Sequence, residues 1–191
     1  MNIYTRNGDF GTTTNLQGEP ISKGSLLMEL QGSVDEVNSF TGLLRAQLDL
    51  IVPTINPIAT EAIGQLLEEL KFVQYQLFVI GTDITQDFSS PSITPEHVTD
   101  LELAIDRMLA YTGELHHFLY LSGGVAATTA HCLRSITRRT ERVFVRYIDA
   151  QDLKKSPPTD YKYLNRLADY FFQVARMINW ASGIEEETMT L

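Results

Sequence analysis

The sequence predicts an all-α protein: one antiparallel bundle of five helices behind an irregular N-terminal segment. Three observations carry that expectation. Seven prolines, at 20, 53, 57, 91, 95, 157 and 158, divide the 191 residues into long proline-free stretches, and proline is excluded from helix interiors. Apolar residues within those stretches recur at helical spacing. No segment makes a convincing strand.

The first helix is expected over 25–50, with Leu27, Leu30, Val34, Val37 and Leu44 facing inward. Gly32 lies inside it at a cost of roughly 1 kcal/mol relative to alanine, which suggests that close packing or a ligand requires bare backbone there. Residues 58–85 carry Ile63, Leu66, Leu67, Leu70, Val73, Leu77, Ile80 and Ile84 at amphipathic spacing. Thr94-Pro95-Glu96 reads as a helix start, a capping hydroxyl followed by proline at the first helical position. That helix runs through Val98, Leu101, Ile105 and Leu109 and ends near Gly113. Gly123-Gly124 precedes a helix over about 125–148, with Val125, Cys132, Leu133, Ile136, Val143 and Phe144 on its apolar side. The last helix, about 160–182, turns Leu164, Leu167, Phe171, Val174, Ala175 and Ile178 to one face and Asn165, Asp169, Phe172 and Arg176 to the opposite, polar one. The whole chain, 1–191, is read as a single domain, with residues 185–191 as a solvated, mobile acidic tail.

Composition narrows the function. Hydrophobic residues make up 43% and charged residues 20%, an ordinary globular balance. With 24 acidic against 15 basic residues the net charge is −9, so a nucleic-acid or anionic-membrane surface is not expected. A single cysteine, Cys132, excludes an internal disulfide and any multi-cysteine metal site, and on the apolar side of its helix it reads as a small buried hydrophobe. No stretch reaches the length of a membrane span, and Met1–Thr5 shows no signal region. A cytoplasmic location is the expectation.

Two segments stand out against that background. Thr5 to Thr14 combines an Asn-Gly pair, a second glycine and three consecutive threonines; such a loop can wrap phosphate oxygens with backbone N–H groups, or serve as a glycine-rich lead-in. It is not a Walker A loop, because no Gly-Lys-Ser/Thr follows. The second segment holds Arg134, Arg138, Arg139, Arg142 and Arg146 with Glu141 as the only acid among them. Arg134, Arg138 and Arg142 recur every four residues and share one face. Arginine in that density suits bidentate binding of phosphate or carboxylate; the alternative is a solvated basic face. Glu114 and His117 have the spacing of one di-iron half-site, but no second Glu-x-x-His exists, so His116, His117 and His131 read as surface or packing residues.

Together these stretches resemble the PduO-type ATP:cob(I)alamin adenosyltransferases from Tyr4 to about Glu186. The resemblance rests on residues 4–13, Ser22-Lys23, residues 32–39, residues 134–142 and residues 163–170, in that order. It implies a homotrimer of five-helix bundles with active sites between subunits. It makes residues 1–24 a phosphate-binding segment in which Thr5, Arg6, Asn7, Gly8, Thr13 and Thr14 contact ATP. Lys23 is implied to meet the triphosphate; Arg138, Arg139, Thr140, Glu141 and Arg142 to hold ATP from the neighbouring subunit; and Asn165 to touch the nucleotide. Asp35 and Arg134 correspond to an intersubunit salt bridge beside the corrin. The implied reaction transfers the 5′-deoxyadenosyl group of ATP to cob(I)alamin. Its substrates are ATP and cobalamin, with magnesium arriving on the ATP phosphates and a flavin reductase as the kind of partner that supplies cobalt(I). Lys23, Arg138 and Glu141 are then the residues that act on the departing triphosphate.

One departure bears on this. Where the family has Phe-x-Leu-Pro-Gly-Gly, this chain has Leu119-Tyr120-Leu121-Ser122-Gly123-Gly124, so Leu119 replaces the ring that covers the lower face of cobalt. The tail Glu187 to Leu191 carries no aromatic residue. Besides an active adenosyltransferase, the pattern therefore allows a non-catalytic relative that binds ATP or corrinoid as a carrier, sensor or assembly partner.

Overall fold

Local signals set each helix start in the computed structural model, which describes residues 4, 6–15 and 18–190, the Pro53 side chain excepted. Helix α1 (Leu26–Ile51) follows Ser25, whose hydroxyl accepts the Met28 N–H. A 3₁₀ turn, Val52–Thr54, leads to α2 (Pro57–Thr85), capped by the Asn56 side chain accepting from Ala59 N–H at 2.9 Å. Helix α3 (Pro95–Thr112) begins at Thr94, whose own N–H donates to His97 Nδ1 at 3.0 Å, and stops at Gly113 with φ 74°. Helix α4 (Val125–Ala150) opens after Gly124, and α5 (Thr159–Ala181) after Pro158. The sequence-derived spans agree with these boundaries to a residue or two.

The region before α1 differs from the expectation of no strand. Thr12–Thr14 (β1) and Pro20–Ser22 (β2) pair antiparallel, with Thr13 opposite Ile21. Three β-branched threonines suit a strand, but so short a run shows no periodicity. Asn15 Oδ1 accepts the Glu19 N–H at 2.7 Å and closes the connection.

Helix α1 packs on α2 and α4, while α5 packs on α2, α3 and α4. Contact with three neighbours buries α5 on nearly every side, including Tyr163, Leu167, Tyr170, Phe171, Val174 and Ile178. Leu30, Val37 and Leu44 of α1, Leu66, Leu70 and Ile80 of α2, and Leu133 and Phe144 of α4 complete the core. No helix among the described residues is long and apolar enough to cross a membrane.

Two residues of α4 are corrected. Cys132 is exposed, and Val125 is 73% exposed. The inward stripe of α4 runs instead through Ala126, Ala127, Ala130, Leu133, Thr137, Thr140 and Phe144. Small residues allow close helix approach, and both threonines satisfy their hydroxyls on the preceding turn, so they sit on the packed face beside Leu133 and Phe144.

Asp160, in the first turn of α5, is fully buried and neither carboxyl oxygen has a hydrogen-bond donor among the described residues. It faces Asp83 of α2, itself buried and accepting from Ser92 N–H at 2.7 Å and Ser92 Oγ at 3.1 Å. Burial first, then the charge of Asp83, pushes the Asp160 carboxyl up to about 7. The folded chain thus keeps a proton that the unfolded chain releases above about pH 4. Between roughly pH 4 and 7 the native state binds more protons, so stability falls as pH rises through that window. Asp160→Asn removes this dependence: its urea midpoint should exceed that of the parent at pH 8 and lose the advantage toward pH 4, each tenfold change in proton affinity being worth about 1.4 kcal/mol.

Candidate functional site

The five arginines of α4 divide between two faces. Arg139 pairs with Glu36 and Arg146 with Glu29, both acids on α1. Between these pairs Thr140 is fully buried, its hydroxyl 3.2 Å from Ser33 O and from Ile136 O. The hydroxyl of Thr140 is therefore used inside the α1–α4 seam, away from the surface.

Arg134, Arg138 and Arg142 point along the α4–α5 side. The Arg134 guanidinium lies over the Phe172 ring at 5.5 Å, a cation–π arrangement. Arg142 donates to Arg138 O at 2.9 Å. Arg138 is exposed and, among the described residues, has no acidic partner. Asn165 of α5 donates to Glu141 at 2.7 Å, which aims that carboxylate beside the arginines. This face therefore presents guanidinium donors and one oriented carboxylate.

The N-terminal loop is a second cluster. Asp9 N–H donates to Arg6 O at 3.3 Å and Gly11 N–H to Gly8 O at 3.2 Å. Lys23 arches across, its N–H donating to Gly11 O and its Nζ to Gly8 O, both at 2.9 Å. A Cβ at Gly8 would stand 2.4 Å from Nζ and 2.9 Å from Cε, so a side chain there would displace the end of the lysine. Arg6 lies over Tyr4 at 5.7 Å. Thr13 and Thr14 line a groove of about 220 Å³ with Leu27, Met28 and Thr85. Thr5 lies outside the described residues, and Asn7 sits within the turn.

Within one chain the two clusters do not meet. The loop abuts the start of α1 at Ser25, whereas Arg138 stands level with the Glu36–Arg139 pair. At 1.5 Å per residue those levels are about 16 Å apart along α1. Asp35 and Arg134 are also separate. Asp35 is exposed and lines a groove of about 440 Å³ between α1 and α2 with Gly32, Asn38 and Phe78. A Cβ at Gly32 meets nothing within 4 Å, so packing inside the chain does not explain that glycine.

A third cluster surrounds Leu119. The half-buried Leu119 pairs with Thr188 in an isolated antiparallel bridge, while Phe118 and Tyr120 are exposed. Asn179 Nδ2 donates to Ser122 O at 3.1 Å. Arg176 is corrected here: read as part of a polar helix face, it is 3% exposed and donates to Glu186, Gly113 O and Thr112 O. The exposed face of α5 at Asn165 and Asp169 ends before Arg176, which the end of α3 and the tail cover. Gln173, donating to Thr112 Oγ1 at 2.6 Å, and Asn179 escaped the sequence reading for the same reason. His116 and His117 are exposed; His131 is buried beside Phe172, and burial followed by Arg134 pushes its pKa down, with Glu186 opposing.

The sequence model of the family described as cobalamin adenosyltransferase matches residues 3–178. The chain belongs to that family. A corrinoid adenosyltransferase of Bacillus subtilis is 38% identical over 186 residues, spanning 96% of this chain and 90% of the relative. A solved phenylalanine-to-alanine variant of a PduO-type ATP:corrinoid adenosyltransferase from Lactobacillus reuteri, complexed with cobalamin and ATP, has a TM-score of 0.83 at 27% identity and covers 100% of both chains. An arginine-to-lysine variant of the Lactobacillus reuteri protein, complexed with ATP, has a TM-score of 0.79 at 29% identity, covering 98% of this chain and 100% of that one.

In this member of the cobalamin adenosyltransferase family, Gly123 is the most constrained position of the Leu119 cluster. Its φ is 127°, and a Cβ there would lie 2.0 Å from Asn179 Oδ1. Gly123→Ala should cost roughly 1–3 kcal/mol from backbone strain alone, read as a lowered melting temperature. An alanine variant as stable as the parent would show that the turn relaxes freely.

Proposed function

We propose that the chain transfers the 5′-deoxyadenosyl group of ATP to cob(I)alamin, giving adenosylcobalamin and triphosphate. The observation that carries this reading is Arg138, a guanidinium without an acidic partner among the described residues, in a row with Arg134 and Arg142 on a chain of net charge −9. Family membership and the similarity to relatives named as corrinoid adenosyltransferases support it.

The chemistry suits these residue types. The cobalt(I) of the corrinoid substrate attacks C5′ of the ribose; the cobalt–carbon bond forms as the carbon–oxygen bond breaks, and the electron pair leaves on the triphosphate. The substrate is its own nucleophile, so the protein needs no side-chain nucleophile or base. Alignment and stabilisation of the charge on the leaving group remain. The loop donors of Thr5, Arg6, Asn7, Gly8, Thr13 and Thr14, with Lys23, wrap the phosphates, and Arg138 and Arg142 bind them from the other side. Among the described residues no three His, Cys, Asp or Glu side chains converge on one point. Magnesium held by one carboxylate plus substrate phosphates fits Glu141, which Asn165 orients.

A second copy supplies what one chain separates. The loop and Arg138 stand about 16 Å apart along α1, and Asp35 and Arg134 make no ion pair with each other among the described residues. A homotrimer with sites between subunits joins loop to arginine and Asp35 to Arg134. A cytoplasmic location and a flavin reductase that delivers cobalt(I) complete the reading.

The decisive experiment mixes the purified protein with ATP, magnesium and chemically reduced cob(I)alamin and follows the absorbance change to adenosylcobalamin. Leu119 favours a second reading, a non-catalytic relative, which binds ATP and leaves cob(I)alamin unchanged in that assay. Arg138→Ala should lower kcat/KM by about 10²–10³ at an unchanged melting temperature, whereas a solvated basic face predicts a near-normal rate. Sedimentation should give a trimer, and Asp35→Arg should shift it to smaller species by placing like charges together; a monomeric parent at micromolar concentration would contradict interfacial sites.

A further inference from the structure

The residues after α5 run back across the bundle end that carries Leu119. Tyr120 N–H donates to Glu187 O at 2.9 Å, and Met189 N–H donates to Phe118 O at 2.7 Å. These bonds flank the Leu119–Thr188 bridge and make 187–189 a partner strand for 118–120. Besides these backbone bonds and that from Ile184 N–H to Asn179 O at 2.9 Å, the tail has a side-chain anchor at Glu186. Arg176 Nε lies 3.0 and 3.2 Å from the two Glu186 oxygens, and Nη2 lies 3.1 Å from Oε2. The same guanidinium donates to Gly113 O and Thr112 O, both at 3.1 Å. One buried arginine thus ties together the end of α3, the start of the 113–124 loop and the tail.

The bridge also sets parity. Successive side chains of an extended segment point to opposite faces, and a one-residue slip exchanges them. With Leu119 opposite Thr188, Leu119 is half-buried while Phe118 and Tyr120, 68% and 54% exposed, point the other way. Neither ring can replace Leu119 by rotation about its side chain. Replacement requires both backbone bonds to the tail to break.

We propose that Arg176 is a positioning residue: through Glu186 it straps the tail against residues 118–120 and holds Leu119, rather than Phe118 or Tyr120, toward the corrin. The strap rests on the proposed corrinoid reaction for its purpose but not for its existence. Arginine is the side chain this needs, because a planar fork engages a carboxylate and two carbonyls at once and an ammonium does not.

The test uses Glu186→Gln, which keeps shape and removes charge, and a chain ending at Glu185, which removes the strap without touching α5. In the parent, the amides of Tyr120 and Met189 should be protected from hydrogen exchange; in Glu186→Gln and Arg176→Lys they should exchange at least about tenfold faster. With cob(I)alamin, both variants and the shortened chain should raise the corrinoid KM about tenfold while the ATP KM stays within about twofold. A merely structural role moves both constants together, or neither. Unprotected amides in the parent overturn the strap, and a loosened strap with an unchanged corrinoid KM overturns the positioning role. A parent that shows protected amides but no turnover at all counts against the proposed reaction instead, and leaves the strap standing.

Discussion

A helix packed against three others must find partners inside the protein for the polar groups that it buries, and α5 is such a helix. It nonetheless contains Asp160, Gln173, Arg176 and Asn179, all 5% exposed or less. A buried polar group left without a partner costs about 1–3 kcal/mol, and more if charged. Three of the four therefore reach out of the helix layer to a connecting segment. Gln173 and Arg176 take the end of α3 at Thr112 and Gly113, Arg176 takes the tail at Glu186, and Asn179 takes Ser122. Asp160 faces Asp83, which holds Ser92. The segment after α3, the turn at Ser122 and the tail are thus tied to α5 by side-chain hydrogen bonds.

The α1–α4 seam solves a different problem. Two helices that approach closely need small side chains between them, and Ser33 and Thr140 fill that role with a hydroxyl contact rather than a hydrocarbon one. Partly exposed pairs at either side, Glu36–Arg139 and Glu29–Arg146, set the register of the two helices. Such pairs are worth only about 0–1 kcal/mol each in stability. Their larger consequence is to separate the arginines by task. Two guanidiniums are neutralised by α1, and the remaining face keeps its positive field in an otherwise acidic protein.

Helix boundaries were legible in the sequence because they depend on local chemistry: Ser25, Asn56 and Thr94 at helix starts, Gly113 at an end, and prolines at 57 and 95. Facing was legible only where a helix has one wet side. On α4 the apolar period selected Leu133, Val143 and Phe144, which are buried, but it also took in Val125 and Cys132, which are exposed, and passed over the alanines and threonines of the packed face. On α5 the expected polar face is present at Asn165 and Asp169, which are exposed, but it does not extend to Arg176, which the end of α3 and the tail cover. The hairpin was hidden for a third reason, because three residues are too few to show alternation. The candidate site divides along the same line. Arg138 announces itself through residue type and spacing, whereas Lys23 and Asn165 were singled out by the family resemblance. The Arg176–Glu186 tie spans a turn and a tail whose pairing no local pattern encodes.

The way Leu119 is held bears on why a departure from the family pattern can be accommodated there. Its segment is positioned by main-chain atoms: the carbonyl of Phe118, the amide of Tyr120 and the carbonyl of Ser122 are bonded to Met189, Glu187 and Asn179. None of these bonds involves the side chain at 119. Exchange of a ring for a branched alkyl group therefore changes the shape presented at that point without moving the backbone that presents it. Gly123 is the opposite case, since its role depends on the absence of a side chain against Asn179. On the proposed corrinoid reaction, a turn built this way separates two kinds of substitution: those at 119 would change the shape of the group presented to the corrinoid, and those at 123, 176 or 186 would change whether that group is held in place.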